Sequence, residues 1–85
     1  MIYGRFGDQV EIVRTAVLSD VKRLEGRKPD RQDHDALENG SYVVVRSLDD
    51  KRERLYHQAY LRADGGAVEI GNALEEADRT KGGRR

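Results

Sequence analysis

The sequence predicts a mainly β, α+β domain: a small antiparallel sheet curled into a partly open barrel, with a helical excursion between strands 1 and 2 and a short C-terminal helix. Three observations predict it. Residues 41–70 hold three runs with strand character, separated by turn residues. Residues 30–38 show no strand alternation but carry good helix-capping residues. The large aliphatics recur at strand and helix spacing, although hydrophobic residues make up only 36% of the chain and charged ones 38%, so a folded domain is expected.

The central stretch is the most informative. Its first run is β-branched, Val43-Val44-Val45, between Tyr42 and Leu48. The second alternates: Leu55, His57, Ala59 and Leu61 fall on one face, and Tyr56, Gln58, Tyr60 and Arg62 on the other. The third is short, with Val68 and Ile70 inward and Glu69 outward. Asp64-Gly65-Gly66 supplies the positive φ angles of a hairpin, and the charged residues 49–53 suit a solvated tip. The expectation is a three-strand meander with aliphatic packing behind and phenols in front.

Ahead of it, residues 1–6 read as a short edge strand with Ile2 and Phe6 on one face, and Gly7-Asp8 as a turn. Residues 9–14 form the next strand, Val10 and Ile12 inward. Ser19 is expected to cap a helix over 20–25, which Gly26 ends in the left-handed conformation. Asp30, with Asp33 three residues on, caps a surface helix over 31–38, closed by Asn39-Gly40. Asn72 and Glu75 make a capping-box pattern for a last helix anchored by Leu74 and Ala77. The division is one β-rich domain over 1–78 and a flexible basic tail over 79–85.

The run Gly7-Asp8-Gln9-Val10-Glu11-Ile12-Val13 resembles the opening of many SH3-like barrels, in which a Gly-Asp turn feeds the first barrel strand. A strand, a long connection and a tight meander is also the chain order of those barrels. The resemblance implies five short strands curled into an SH3-like, partly open barrel. The second architecture is a flat antiparallel sheet covered on one face by the helices.

Composition narrows function mostly by exclusion. Eighty-five residues make one domain with a small core, which a homodimer contact could extend. Sixteen basic and sixteen acidic residues cancel, and the halves are balanced, seven basic and eight acidic over 1–42 against nine and eight over 43–85. A dedicated nucleic-acid binder usually shows a basic excess. The absence of cysteine excludes disulfides, thiolate zinc sites, iron–sulfur clusters and a cysteine nucleophile. No apolar leader and no membrane-length stretch is present, so a cytoplasmic location is expected.

The residues that could carry function are few. Tyr56, Tyr60 and Arg62 share one face of the alternating strand; Tyr42, Val44 and Arg46 share one face of its neighbour. Were those faces the same, with Arg54 and Arg52 near the hairpin tip, the sheet would present a tyrosine and arginine surface suited to a protein partner, a second copy of the chain, or stacked bases. The candidate binding set is therefore Tyr42, Arg46, Arg54, Tyr56, Tyr60 and Arg62. The favoured role is a non-enzymatic binding or adaptor module, with no cofactor. The alternative is a nucleic-acid accessory protein that adds the tail residues Arg79, Lys81, Arg84 and Arg85. His57 reads as a packed strand histidine, and His34, between Asp33 and Asp35, as solvated surface. No catalytic constellation and no metal-ligand spacing is found.

Overall fold

The three valines at 43–45 set the layout. They lie in a strand, so their side chains alternate between its faces, and all three are almost fully buried. A sheet strand buried on both faces needs a covering layer on each, and the chain supplies both. In the computed structural model, which describes residues 1–82, the elements are β1 (Ile2–Tyr3), β2 (Gln9–Thr15), α1 (Leu18–Glu25), α2 (Arg31–Glu38), β3 (Tyr42–Ser47), β4 (Glu53–His57), a 3-10 turn (Gln58–Tyr60), β5 (Arg62–Ala63) and α3 (Gly66–Gly82). The strands make one antiparallel sheet in the order β4-β3-β2-β1-β5. Helix α3 covers one face, where Ile70 joins Ile2, Val10, Val43, Val45 and Leu61, with Ala73 and Leu74 beside them. Helices α1 and α2 cover the other, where Val13, Ala16 and Val44 meet Leu24, Leu37, Tyr42 and Leu55. The second architecture considered from sequence, with the helices on a single face, is thus corrected.

The α1–α2 layer is held by charge as much as by apolar contact, because each helix has only two turns. One device serves both. In α1, Asp20 reaches back to accept the Val17 N–H at 2.8 Å; in α2, Asp33 accepts the Asp30 N–H at 2.7 Å while the Asp30 side chain accepts the Asp33 N–H at 3.0 Å. Both carboxylates are buried and clamped by arginine. Arg14 grips Asp20 through two bonds of 2.6 and 2.8 Å, with Arg23 adding a third at 2.8 Å. Arg27 grips Asp33 at 2.6 and 3.0 Å, and Tyr42 Oη adds a bond at 2.9 Å. A bulge lets Arg14 reach: the β2–β3 register shifts between Ile12 and Arg14, so Val13 and Arg14 both lie on the α1–α2 side. The Asp30 cap and the Gly26 terminator, with φ 68°, are as expected. Ser19 is not the cap of α1, because the helix starts at Leu18 and Asp20 takes the capping role.

The meander is corrected in its second half. Strands β3 and β4 pair as expected, but β4 ends at His57. There His57 Nδ1 accepts the Ala59 N–H at 3.1 Å and Gln58 Nε2 donates to the Gly40 carbonyl at 2.9 Å, turning the chain through the 3-10 segment. Alternation therefore stops before Tyr60 and Arg62. Residues 62–63 pair with β1, so β1 is an interior strand rather than an edge. The expected third strand at Val68–Ile70 is helical. Gly66 takes φ 73°, the Glu69 carboxylate accepts the Gly65 N–H at 2.7 Å, and Ile70, Ala73 and Leu74 follow a helical stripe. Helix α3 begins six residues ahead of Asn72 and runs past Arg79 to Gly82, its far end tied to β2 by Asp78, which accepts the Thr15 N–H at 2.8 Å. Residues 83–85, which include Arg84 and Arg85 of the expected tail, lie outside the described residues. Strands β4 and β5 do not pair with each other, so the sheet is not closed into a barrel.

Candidate functional site

The register of the β3–β4 ladder fixes what β4 offers outward. Gln58 N–H donates to the Ser41 carbonyl at 2.8 Å and Ser47 N–H to the Arg52 carbonyl at 3.0 Å. In an antiparallel ladder, hydrogen-bonded and non-bonded pairs alternate. Arg54 and Tyr56, opposite Val45 and Val43, therefore turn their backbone groups toward β3. Glu53, Leu55 and His57, opposite Arg46, Val44 and Tyr42, turn theirs away from the sheet. Strand β4 is an edge, and among the described residues no strand other than β3 pairs with it.

A groove of about 640 Å³ lies along this edge. One wall is the turn between β1 and β2, where Arg5 and Phe6 stand; the other is the C-terminal end of α1 and the start of the connector to α2, contributing Leu24, Glu25 and Arg27. Arg54 to His57, with Ala59, Tyr60 and Tyr42, complete the lining. The close approach of the first wall depends on Gly4: a Cβ there would sit 2.9 Å from Tyr56 Cε2 and 3.0 Å from both Tyr56 Oη and Asp8 Oδ1. Phe6 is 82% exposed. The aromatic rings meet edge to face, His57 lying 6.0 Å from Tyr42 and 6.5 Å from Tyr60 between ring centres. The Arg5 guanidinium lies 4.7 Å over the Tyr60 ring and 5.6 Å from the Phe6 ring.

The six residues singled out from sequence divide. Tyr42 and Tyr56 are on opposite faces of the sheet, since Tyr42 pairs with His57 and Tyr56 with Val43. A single phenol face is therefore absent. Yet both rings, with Tyr60 and Arg54, line the same groove, because the groove wraps the edge rather than lying on a face. Arg46 stands apart, bound to Glu11 at 3.0 Å and Glu53 at 3.2 Å. Arg62 belongs to the far edge and donates to the Ala59 and Leu61 carbonyls at 3.0 and 3.1 Å. Sequence reasoning missed Arg5 and Phe6; an aromatic and a cation between Gly4 and Gly7, with no aliphatic partner in the turn, was the available signal.

Electrostatics around the groove are largely settled internally. Arg14, Arg23, Arg27, Arg46 and Arg54 each hold a carboxylate. The Arg14 bond, with lesser help from the Val17 N–H and Arg23, keeps Asp20 well below the usual carboxylate range despite its burial. Arg27 does the same for Asp33. Arg23 lowers Glu53, helped by Arg46. Burial, then the Asp33 carboxylate, raises the Tyr42 phenol. Among the described residues no group of three or more His, Cys, Asp or Glu is placed to hold a metal ion, and no helix is long and apolar enough to cross a membrane. Comparison with protein-family models, with curated proteins and with solved structures finds no match to any of them.

Proposed function

We propose that this protein is a non-enzymatic binding module that holds an extended segment of a protein partner in the groove along β4. One observation carries the reading: the unpaired outer side of the edge strand β4 forms the floor of a groove walled on both sides and lined by three tyrosines and a histidine. Rigid aromatic side chains supply contact area at low entropic cost, and their polar tips suit a partly wet site. The open sheet supports a companion reading of the fold as SH3-like, since its two end strands are joined only by residues 58–61 through a 3-10 turn and the sheet curls between them.

Self-association through this edge is the weaker form of the same idea. A single extended segment enters between the walls, whereas a second copy brings its own β4 recessed behind the same two walls. The nucleic-acid alternative is weaker again, because five arginines that a phosphate backbone would need are engaged by carboxylates.

The test is selection from a random dodecapeptide library displayed on phage, followed by titration of the enriched peptides into labelled protein. The reading expects chemical-shift changes centred on Tyr42, Leu55, His57 and Tyr60, and about tenfold weaker binding on Tyr60→Ala, the loss typical of a buried interface ring. A library that enriches nothing above background, or peptides whose shifts map to α3, contradicts it. Light scattering at high concentration and low-salt oligonucleotide titration report the two competing readings.

A further inference from the structure

We infer that the occupant of the groove is an acidic peptide that adds to the sheet as a sixth strand, bonding to the outward backbone of Glu53, Leu55 and His57 and setting a carboxylate against Arg5. The inference rests on the proposed peptide-binding role and specifies its chemistry. Two independent features point the same way. The first is main-chain geometry. The ladder turns the N–H groups of Glu53, Leu55 and His57 away from β3, with the carbonyls of Glu53 and Leu55 beside them, and Leu55 and His57 line the groove. These backbone groups recur every second residue, the repeat at which an added strand offers its own groups. The second is charge. Of the arginines lining the groove, Arg27 and Arg54 hold carboxylates of their own, but Arg5 makes no ion pair among the described residues. Its guanidinium lies instead within cation–π distance of the Tyr60 ring, with the Phe6 ring nearby, which places its charge at the wall. An arginine pre-positioned in this way and lacking an anion matches a carboxylate, to which it forms short, charge-assisted bonds. His57 adds a donor: its Nδ1 accepts from Ala59 N–H, so the neutral ring carries its proton on Nε2, which has no partner among the described residues. The acidic residue therefore belongs at the end of the segment that passes His57 and Tyr60.

A proline substitution isolates the backbone contribution. His57 has φ −75°, which proline adopts, and it follows a residue in extended strand conformation. Its N–H faces outward, so His57→Pro removes no bond of the β3–β4 ladder. His57→Ala removes the same ring but keeps the N–H. With the phage-selected peptides as probes, His57→Pro is expected to bind about tenfold more weakly than His57→Ala, the worth of one lost hydrogen bond at a desolvated site. The selected peptides are expected to carry Asp or Glu. Replacing that residue by its amide is expected to weaken binding about tenfold to the wild type and not at all to Arg5→Gln. Equal binding by the proline and alanine variants, or equal loss on amide replacement with and without Arg5, overturns the inference while leaving a peptide-binding groove in place. Failure to select any groove-binding peptide overturns both.

Discussion

The two edges of the sheet are unequal, and the inequality is where the molecule departs from a plain folded domain. At the β5 edge, Asp64 N–H bonds to the Met1 carbonyl and Arg62 pairs with Tyr3, so Ala63 alone turns its backbone outward. Arg62 then folds over the adjoining carbonyls of Ala59 and Leu61. Short edges covered by a cation are a common protection against unwanted strand pairing. The β4 edge has five residues, three of them outward, and its flanks frame the strand without covering it. One chain has shut one edge and left the other open in a shaped recess. The difference is what supports the proposed use of the open edge as a binding site.

The largest effect on that difference is expected from acid. Asp20 and Asp33 hold their protons less tightly folded than unfolded, because Arg14 and Arg27 favour the charged forms. Their stabilisation is therefore fully present above the unfolded value of about 4 and is lost progressively as pH falls below it. Both carboxylates serve the α1–α2 layer, which forms one flank of β4, whereas α3 rests mainly on aliphatics. Urea midpoints should fall monotonically from pH 5 to pH 3, with amides of α1 and α2 losing protection before those of α3.

Next in size is Asp20→Asn, which leaves Arg14 and Arg23 without their buried anion and is expected to cost about 2–4 kcal/mol in urea unfolding. Gly4→Ala strikes the other flank by driving a Cβ into Tyr56, for about 1–3 kcal/mol. Its control is Gly71→Ala on α3, where nothing lies within 4 Å of the new methyl and a gain of about 0.5–1 kcal/mol is expected. Smallest is Arg62→Ala at the closed edge, expected within about 0.5 kcal/mol in stability but with faster exchange of the Ala63 amide.

How much of this could be read from sequence depended on whether the signal was periodic. Helix α2 was legible because Asp30 and Asp33 announce a cap, and β3 because three β-branched residues in a row have few other homes. The end of β4 was not. Leu55, His57, Ala59 and Leu61 keep perfect alternation through the point where the chain turns, and the turn is made by side-chain bonds from His57 and Gln58 that carry no period. The faces of Tyr42 and Tyr56 were illegible for another reason. Whether Tyr42 meets His57 or Tyr56 depends on the geometry of loop residues 48–52, and a shift of one residue reverses every side chain. Val68 and Ile70 were too few to tell period two from a helical stripe; Ala73 and Leu74, read with Ile70, settle it as helix. Arg5 and Phe6 became a groove wall only because the curl of the sheet carries the β1–β2 turn back toward β4.

The most direct measurement is residue-resolved amide exchange on the free protein and on the protein saturated with a selected peptide. The account predicts that free protein protects Arg54 and Tyr56, which bond to β3, and leaves Leu55 and His57 open, and that the peptide slows exchange at Leu55 and His57 by about tenfold or more. Protection of Leu55 and His57 before any peptide is added, or exchange there that stays fast at saturation, would contradict it.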